Sequence, residues 1–148
     1  MGSVLDERLV GYWSDETVYQ GAMEVTDIAF RRDGTGWTYW SRDGGGFEVF
    51  RFSWRTAADH QLTIDLQELL SGNWRLAEHA VQHHVRSKTR WDKQTVVAYE
   101  VTPGQNVFRE PATLLRLNRP ISIATIGDQF AFKRQLAETD HDPTTQGP

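Results

Sequence analysis

The feature that most constrains this chain is a two-residue alternation repeated in short runs. In FEVFRFSWR, Phe50, Phe52 and Trp54 fall on one face and Arg51, Ser53 and Arg55 on the other. In QLTIDLQEL, Leu62, Ile64 and Leu66 face one way and Gln61, Thr63 and Asp65 the other. A period of two sends successive side chains to opposite faces of an extended strand. Antiparallel strands with one face buried show this pattern. Turn chemistry closes each run: DGTG after MEVTDIAFRR, DGGG after WTYWSR, TAADH after FEVFRFSWR and SGN after QLTIDLQEL. Asp-Gly and Asn-containing stretches of this kind suit hairpins.

Further strands follow. QTVVAYEV is expected to stop at Pro103-Gly104, ATLLRLN to stop at Pro120, and QFAFKRQ to follow a turn at Gly127-Asp128. Residues 72–93 have no clean period. They read either as a short helix over 74–84 or as an irregular strand pair turning near Asp92-Lys93. Residues 5–9 suit one short helical turn. Residues 137–148, AETDHDPTTQGP, are polar and proline-containing and are expected to be disordered. The expected fold class is therefore all-β: one antiparallel, up-and-down sheet of about eight strands, closed as a barrel or folded as a sandwich, over residues 1–136. No long helices separate the strands as they would in a parallel α/β fold.

Composition narrows the partners. A length of 148 residues suits one domain with a real core. Six Trp, four Tyr and seven Phe imply either a bulky core or a cavity lined with rings. A net charge of −4 argues against nucleic acid, which requires a basic surface. The chain has no cysteine, hence no disulfide, thiolate metal site or cysteine nucleophile. Asp6, Glu7 and Arg8 interrupt any apolar leader, and no apolar run approaches the ~20 residues of a membrane span. The expected location is cytoplasmic, with no membrane partner. A homodimer is left open.

In order along the chain stand LVGYW, then IAFRRDGTGWTYW, then FRFSWRTAADHQLTI, and finally LLRLNRP and QFAFKR. This series resembles a lipocalin-like, or calycin-type, β-barrel, with Gly11-Tyr12-Trp13 as the Gly-x-Trp that opens it. The resemblance covers about residues 5–134. It implies a barrel with Trp13 plugging the closed end and Arg134, or Lys133, covering its indole. The chain departs from the secreted members of that group: no signal peptide is expected from its first residues, it has no cysteine for a disulfide, no Thr-Asp-Tyr motif stands where YEVTPG does, and no C-terminal helix is evident.

The strongest candidate for a ligand site is the aromatic set Trp37, Tyr39, Trp40, Phe50, Phe52 and Trp54, with Tyr99 turning its hydroxyl inward. Barrels of this size hold one small molecule or fill with side chains. Trp37 and Tyr39 alternate with Trp40, so these rings cannot all face inward. In EHAVQHH, His79 and His83 stand four apart, a metal-binding spacing on a helix, but no acidic residue completes a metal motif. His83, like Tyr99, is a candidate acid or base. Arg51 and Arg116 are expected in solvent, an inward arginine being the alternative that would hook an anion. The glycine-rich DGTG and GGG stretches lie between strands and lack the Gly-Lys-Ser/Thr of a phosphate loop. No Gly-x-Ser-x-Gly elbow occurs. The expected function is binding of a small hydrophobic or aromatic molecule in the barrel. A cofactor-free cyclase or isomerase and a solid-core interaction domain are the alternatives.

Overall fold

The computed structural model describes residues 5–18, 23–58, 60–121, 128–137 and 139–145. Eight strands occur among them: β1 (Gly11–Ser14), β2 (Glu24–Phe30), β3 (Thr35–Arg42), β4 (Gly46–Ala57), β5 (Gln61–Ala77), β6 (Ala80–Gln105), β7 (Pro111–Leu117) and β8 (Gln129–Arg134). Each pairs antiparallel with its neighbour in sequence, and β8 pairs with β1, so the sheet closes on itself as a barrel. Closure gives each strand a partner on both sides over part of its length.

The alternation predicted for β4 and β5 holds. Phe50, Phe52, Trp54, Leu62, Ile64 and Leu66 are buried on the inner face. The Asp33 turn forms as its chemistry dictates. Asp33 Oδ1 accepts from the backbone N–H of Thr35 at 2.9 Å and from its hydroxyl at 2.6 Å. Gly34 follows Asp33 at φ 88°, a conformation glycine adopts without strain.

Residues 72–93 are neither a helix nor a strand pair turning at Asp92-Lys93. They belong to one long hairpin of β5 and β6, paired from Gln61↔Ala98 to Ala77↔Ala80. The turn lies at Glu78-His79, both at positive φ (51° and 70°). That is the backbone of a two-residue hairpin turn, built here without the glycine or asparagine that would announce it. β6 also runs through Pro103-Gly104 instead of stopping there. β5 begins at Gln61 opposite Ala98, and the last bond on that side is Tyr99 N–H to His60 O, so residues 100–105 pair with β7 alone. A proline is tolerated where a strand has only one neighbour.

The N-terminal approach is a pair of tight turns, Leu9 N–H to Asp6 O and Val10 N–H to Glu7 O, not a helical turn. Among the described residues the one helical element is the 3-10 turn Pro143–Thr145. It belongs to the tail that was expected to be disordered. Over 139–145 that tail lies on the outer wall, where Asp142 is buried and accepts from Arg51 Nε at 2.8 Å.

Trp13 is fully buried, donates its indole N–H to Leu9 O at 2.9 Å, and meets Phe132 edge-on at 5.3 Å. With Leu9 and Val10 it stoppers one end of the barrel. The cation does not cover it. Arg134 lies 4.7 Å over the Tyr12 ring, and Lys133 pairs with Glu16 at 3.1 Å. The register explains this: Tyr12, not Trp13, stands opposite Arg134, with a shift in pairing just after it. Arg134 therefore falls on the outward face that Tyr12 shares.

Two apolar clusters result. One lies inside the barrel. The other lies on its outer wall, where Ala29, Trp37, Phe47, Val49 and Leu70 pack with Tyr39, Trp74, Val85 and Leu136. Each fully buried large apolar side chain contributes about 1.5–3 kcal/mol.

Candidate functional site

The barrel interior has two unlike halves. At the stoppered end Phe30 packs on Phe52 and Trp54 at ring distances of 5.8 and 5.1 Å. The Trp54 indole donates to Arg31 O at 3.0 Å and Thr35 O at 3.1 Å. Tyr99 is inward as predicted, but its hydroxyl donates to Asp6 Oδ2 at 2.7 Å. Burial, with Asp6 beside it, pushes the Tyr99 hydroxyl up to about 12. Phe52, Trp54 and Tyr99 are thus packed and polar-satisfied at this end.

The other half is different. Two rows of cross-strand neighbours face inward there. Ile28, Thr38, Phe50 and Leu69 form one row, with Trp13 across from Ile28 at its head. Thr26, Trp40, Glu48 and Ser71 form the next, one step further from the stopper. Trp91 meets Phe50 edge-on at 5.8 Å. Three buried polar atoms here have no hydrogen-bond partner among the described residues: Thr26 Oγ1, Thr38 Oγ1 and Trp40 Nε1. Buried polar groups in folded proteins are nearly always paired, and an unmade bond costs about 1–3 kcal/mol. These three atoms on one inner surface are covered by protein, so it is their hydrogen bonding among the described residues that is incomplete. Glu48, half-buried in the same row, is pushed up from the ordinary carboxylate range by burial.

The stagger of the barrel bears on its width. From Ser14 the register leads through β2–β5 to Lys88 on β6. The other way, through β8 and β7, it leads to Thr102, 14 residues further along the same strand, bulges included. In a closed barrel stagger, tilt and diameter are linked. An offset this large in eight strands tilts them steeply and widens the interior.

The remaining predicted residues lie on the outside. Trp37 and Tyr39 are in the outer-wall cluster. His83 joins them: its Nε2 is 2.6 Å from Tyr39 Oη, its ring meets Phe47 edge-on at 5.0 Å, and its Nδ1 is buried without a partner among the described residues. Burial holds the His83 imidazole below its usual range and pushes the Tyr39 hydroxyl up to about 12. His79 sits in the β5–β6 turn and His84 follows His83 on the opposite face, so the three histidines do not converge. No cluster of metal-ligating side chains occurs among the described residues. His83 and Tyr99 are not brought to one cavity.

Beside this wall Tyr12 Oη donates to the buried Asp27 at 2.5 Å. Burial raises both groups. Arg51 is not free in solvent. It is held by Glu68 at 2.7 Å and Asp142 at 2.8 Å, while Arg116 is exposed and 3.9 Å from Glu100.

Sequence reasoning missed Thr26, Thr38, Glu48 and Trp91. The first three carry a signal in the alternation: each falls two residues from a large apolar residue of the same inward face (Ile28, Trp40 and Phe50). Trp91 lies in the stretch whose period was unreadable.

No helix among the described residues is long and apolar enough to cross a membrane. Comparison with protein-family models, curated proteins and solved structures finds no match to this chain.

Proposed function

We propose that this chain is a lipocalin-like container that binds one small, flat, mostly apolar molecule in the unstoppered half of its barrel. The observation that carries the reading is the trio of unpartnered polar atoms, Thr26 Oγ1, Thr38 Oγ1 and Trp40 Nε1, on one inner surface. A ligand pocket is largely apolar with a few convergent polar groups. Here Phe50, Leu69, Trp91 and Trp40 supply the apolar walls, and the two hydroxyls and the indole N–H supply the polar points. Phe52, Trp54 and Tyr99 form the floor rather than the site. Trp37 and Tyr39 stand outside it.

The test is a fluorescence titration with a panel of apolar and polycyclic compounds. Trp40 and Trp91 border the proposed site, so a binder changes tryptophan emission, and the Trp40→Phe variant loses a large part of that response. A flat response across the whole panel, in a chain that melts cooperatively, contradicts the proposal.

A further inference from the structure

The same inner surface carries a charge. Glu48 faces inward, directly across from Trp40, and is half-buried. It makes no ion pair and no hydrogen bond to any described side chain. The contrast with Glu68 is informative: that outward carboxylate is held by Arg51 at 2.7 Å and Lys88 at 3.6 Å. Arg42, two residues beyond Trp40 on β3, is exposed and does not pair with Glu48. A carboxylate drawn from water without a partner is costly. Aromatic rings flank it, Trp40 in the same row and Phe50 two residues along β4, with Trp91 against Phe50 at 5.8 Å. Ring faces attract cations, and aromatic cages recognise ammonium groups.

We infer that the molecule held in this chamber is an organic cation, an aromatic amine in its ammonium form, with Glu48 as counter-ion and Trp40, Phe50 and Trp91 around the charge. This rests on the container reading and deepens it. An anion would meet Glu48 with like charge. A pure hydrocarbon would leave Thr26, Thr38, Trp40 and Glu48 all unmet. An amine whose ring carries one hydrogen-bonding group satisfies both the carboxylate and the neutral polar points.

Isothermal calorimetry on the full chain with three matched indoles separates the readings: tryptamine (cation), tryptophol (neutral) and indole-3-propionate (anion). Tryptamine is expected to bind about tenfold tighter than tryptophol, the scale of a partly desolvated cation–ring and charge contact, and the anion weakest. In Glu48→Gln the advantage of the amine over the alcohol falls to within about twofold, while binding of the alcohol persists. Equal or tighter binding of the alcohol or the acid by the native chain overturns the cation assignment and leaves the container reading standing. So does an amine preference that survives in Glu48→Gln. The ranking within the native chain decides the matter even if the variant fails to fold. Binding of none of the three at millimolar concentration overturns the cation assignment, and the wider fluorescence panel then judges the container reading by itself.

Discussion

Tyr99 and Asp6, 93 residues apart in sequence, are joined by a hydrogen bond of 2.7 Å that ties the N-terminal approach across the stoppered end of the barrel. The Arg8 side chain, which bonds to Asp6, is the main reason that carboxyl lies near 2, and Tyr99 adds to the effect against the opposing cost of burial. In the unfolded chain the group titrates near 3.8. A carboxyl whose pKa is lowered on folding stabilises the fold above its unfolded value, and that contribution is lost as pH falls through the folded one. Stability is therefore expected to drop between about pH 4 and pH 2. Tyr99→Phe should cost about 1.5–3 kcal/mol at pH 7, the range for a hydrogen bond to a charged group. Asp6→Asn should flatten the acid limb of the stability curve. Chemical denaturation at a series of pH values measures both; an unchanged acid limb in Asp6→Asn contradicts the assignment.

Asp15 works in the opposite sense. It is buried beside Thr26, whose backbone N–H it accepts at 2.8 Å, and burial raises its carboxyl to about 6. The folded state holds the proton more tightly than the unfolded chain, so stability is greatest below about pH 4 and declines as pH rises toward 6. Asp15→Asn keeps an acceptor without the charge. It is expected to be more stable than the native chain at pH 7 and to lose that advantage below pH 4. A variant no more stable at pH 7 would show that the buried charge is compensated.

Gly36 has no room for a methyl group. A Cβ there would lie 2.2 Å from Ala29 O and 2.6 Å from a Phe52 ring carbon. The first neighbour is backbone of the paired strand and cannot rotate away. Gly36→Ala should cost about 1–3 kcal/mol, the usual range for forced overpacking, seen as a lower denaturant midpoint. A neutral substitution would mean that β2 and β3 are further apart than described.

The tail is pinned by a charge pair. Asp142 is buried, and it accepts from Arg51 Nε at 2.8 Å over a wall that includes the buried Trp37. Asp142→Ala leaves the Arg51 cation partly unpaired, and a loss of about 1.5–3 kcal/mol is expected. Deleting residues 138–148 should in addition shift Trp37 emission to the red, with Trp37→Phe as the control. Unchanged stability and emission would place the tail away from this wall.

Much of the fold was legible because period two is written residue by residue. Phe50, Phe52, Trp54, Leu62, Ile64 and Leu66 needed no tertiary information to be assigned to one face. The Glu78-His79 turn was not legible, because its positive φ angles are imposed by the flanking strands on residues that do not advertise them. Pro103 misled for a related reason: whether a proline ends a strand depends on whether a second neighbour is present, which only the register reveals. The candidate site was half legible. Alternation correctly separated Trp37 and Tyr39 from Trp40, and which set faced inward followed only from barrel closure. Which inward rings were floor and which were wall depended on Asp6 reaching Tyr99 from the far end of the sequence. The expected cation over Trp13 failed on a one-residue shift in register between β1 and β8.

A small molecule is proposed to occupy the barrel half bordered by Thr26, Thr38, Trp40 and Glu48. Native mass spectrometry of the folded chain purified from its source cells tests this most directly. One molecule of added mass is expected, released on denaturation and lost in the Thr38→Val/Trp40→Phe double variant purified the same way. The bare chain mass under gentle ionisation, identical for native and variant protein, would contradict it.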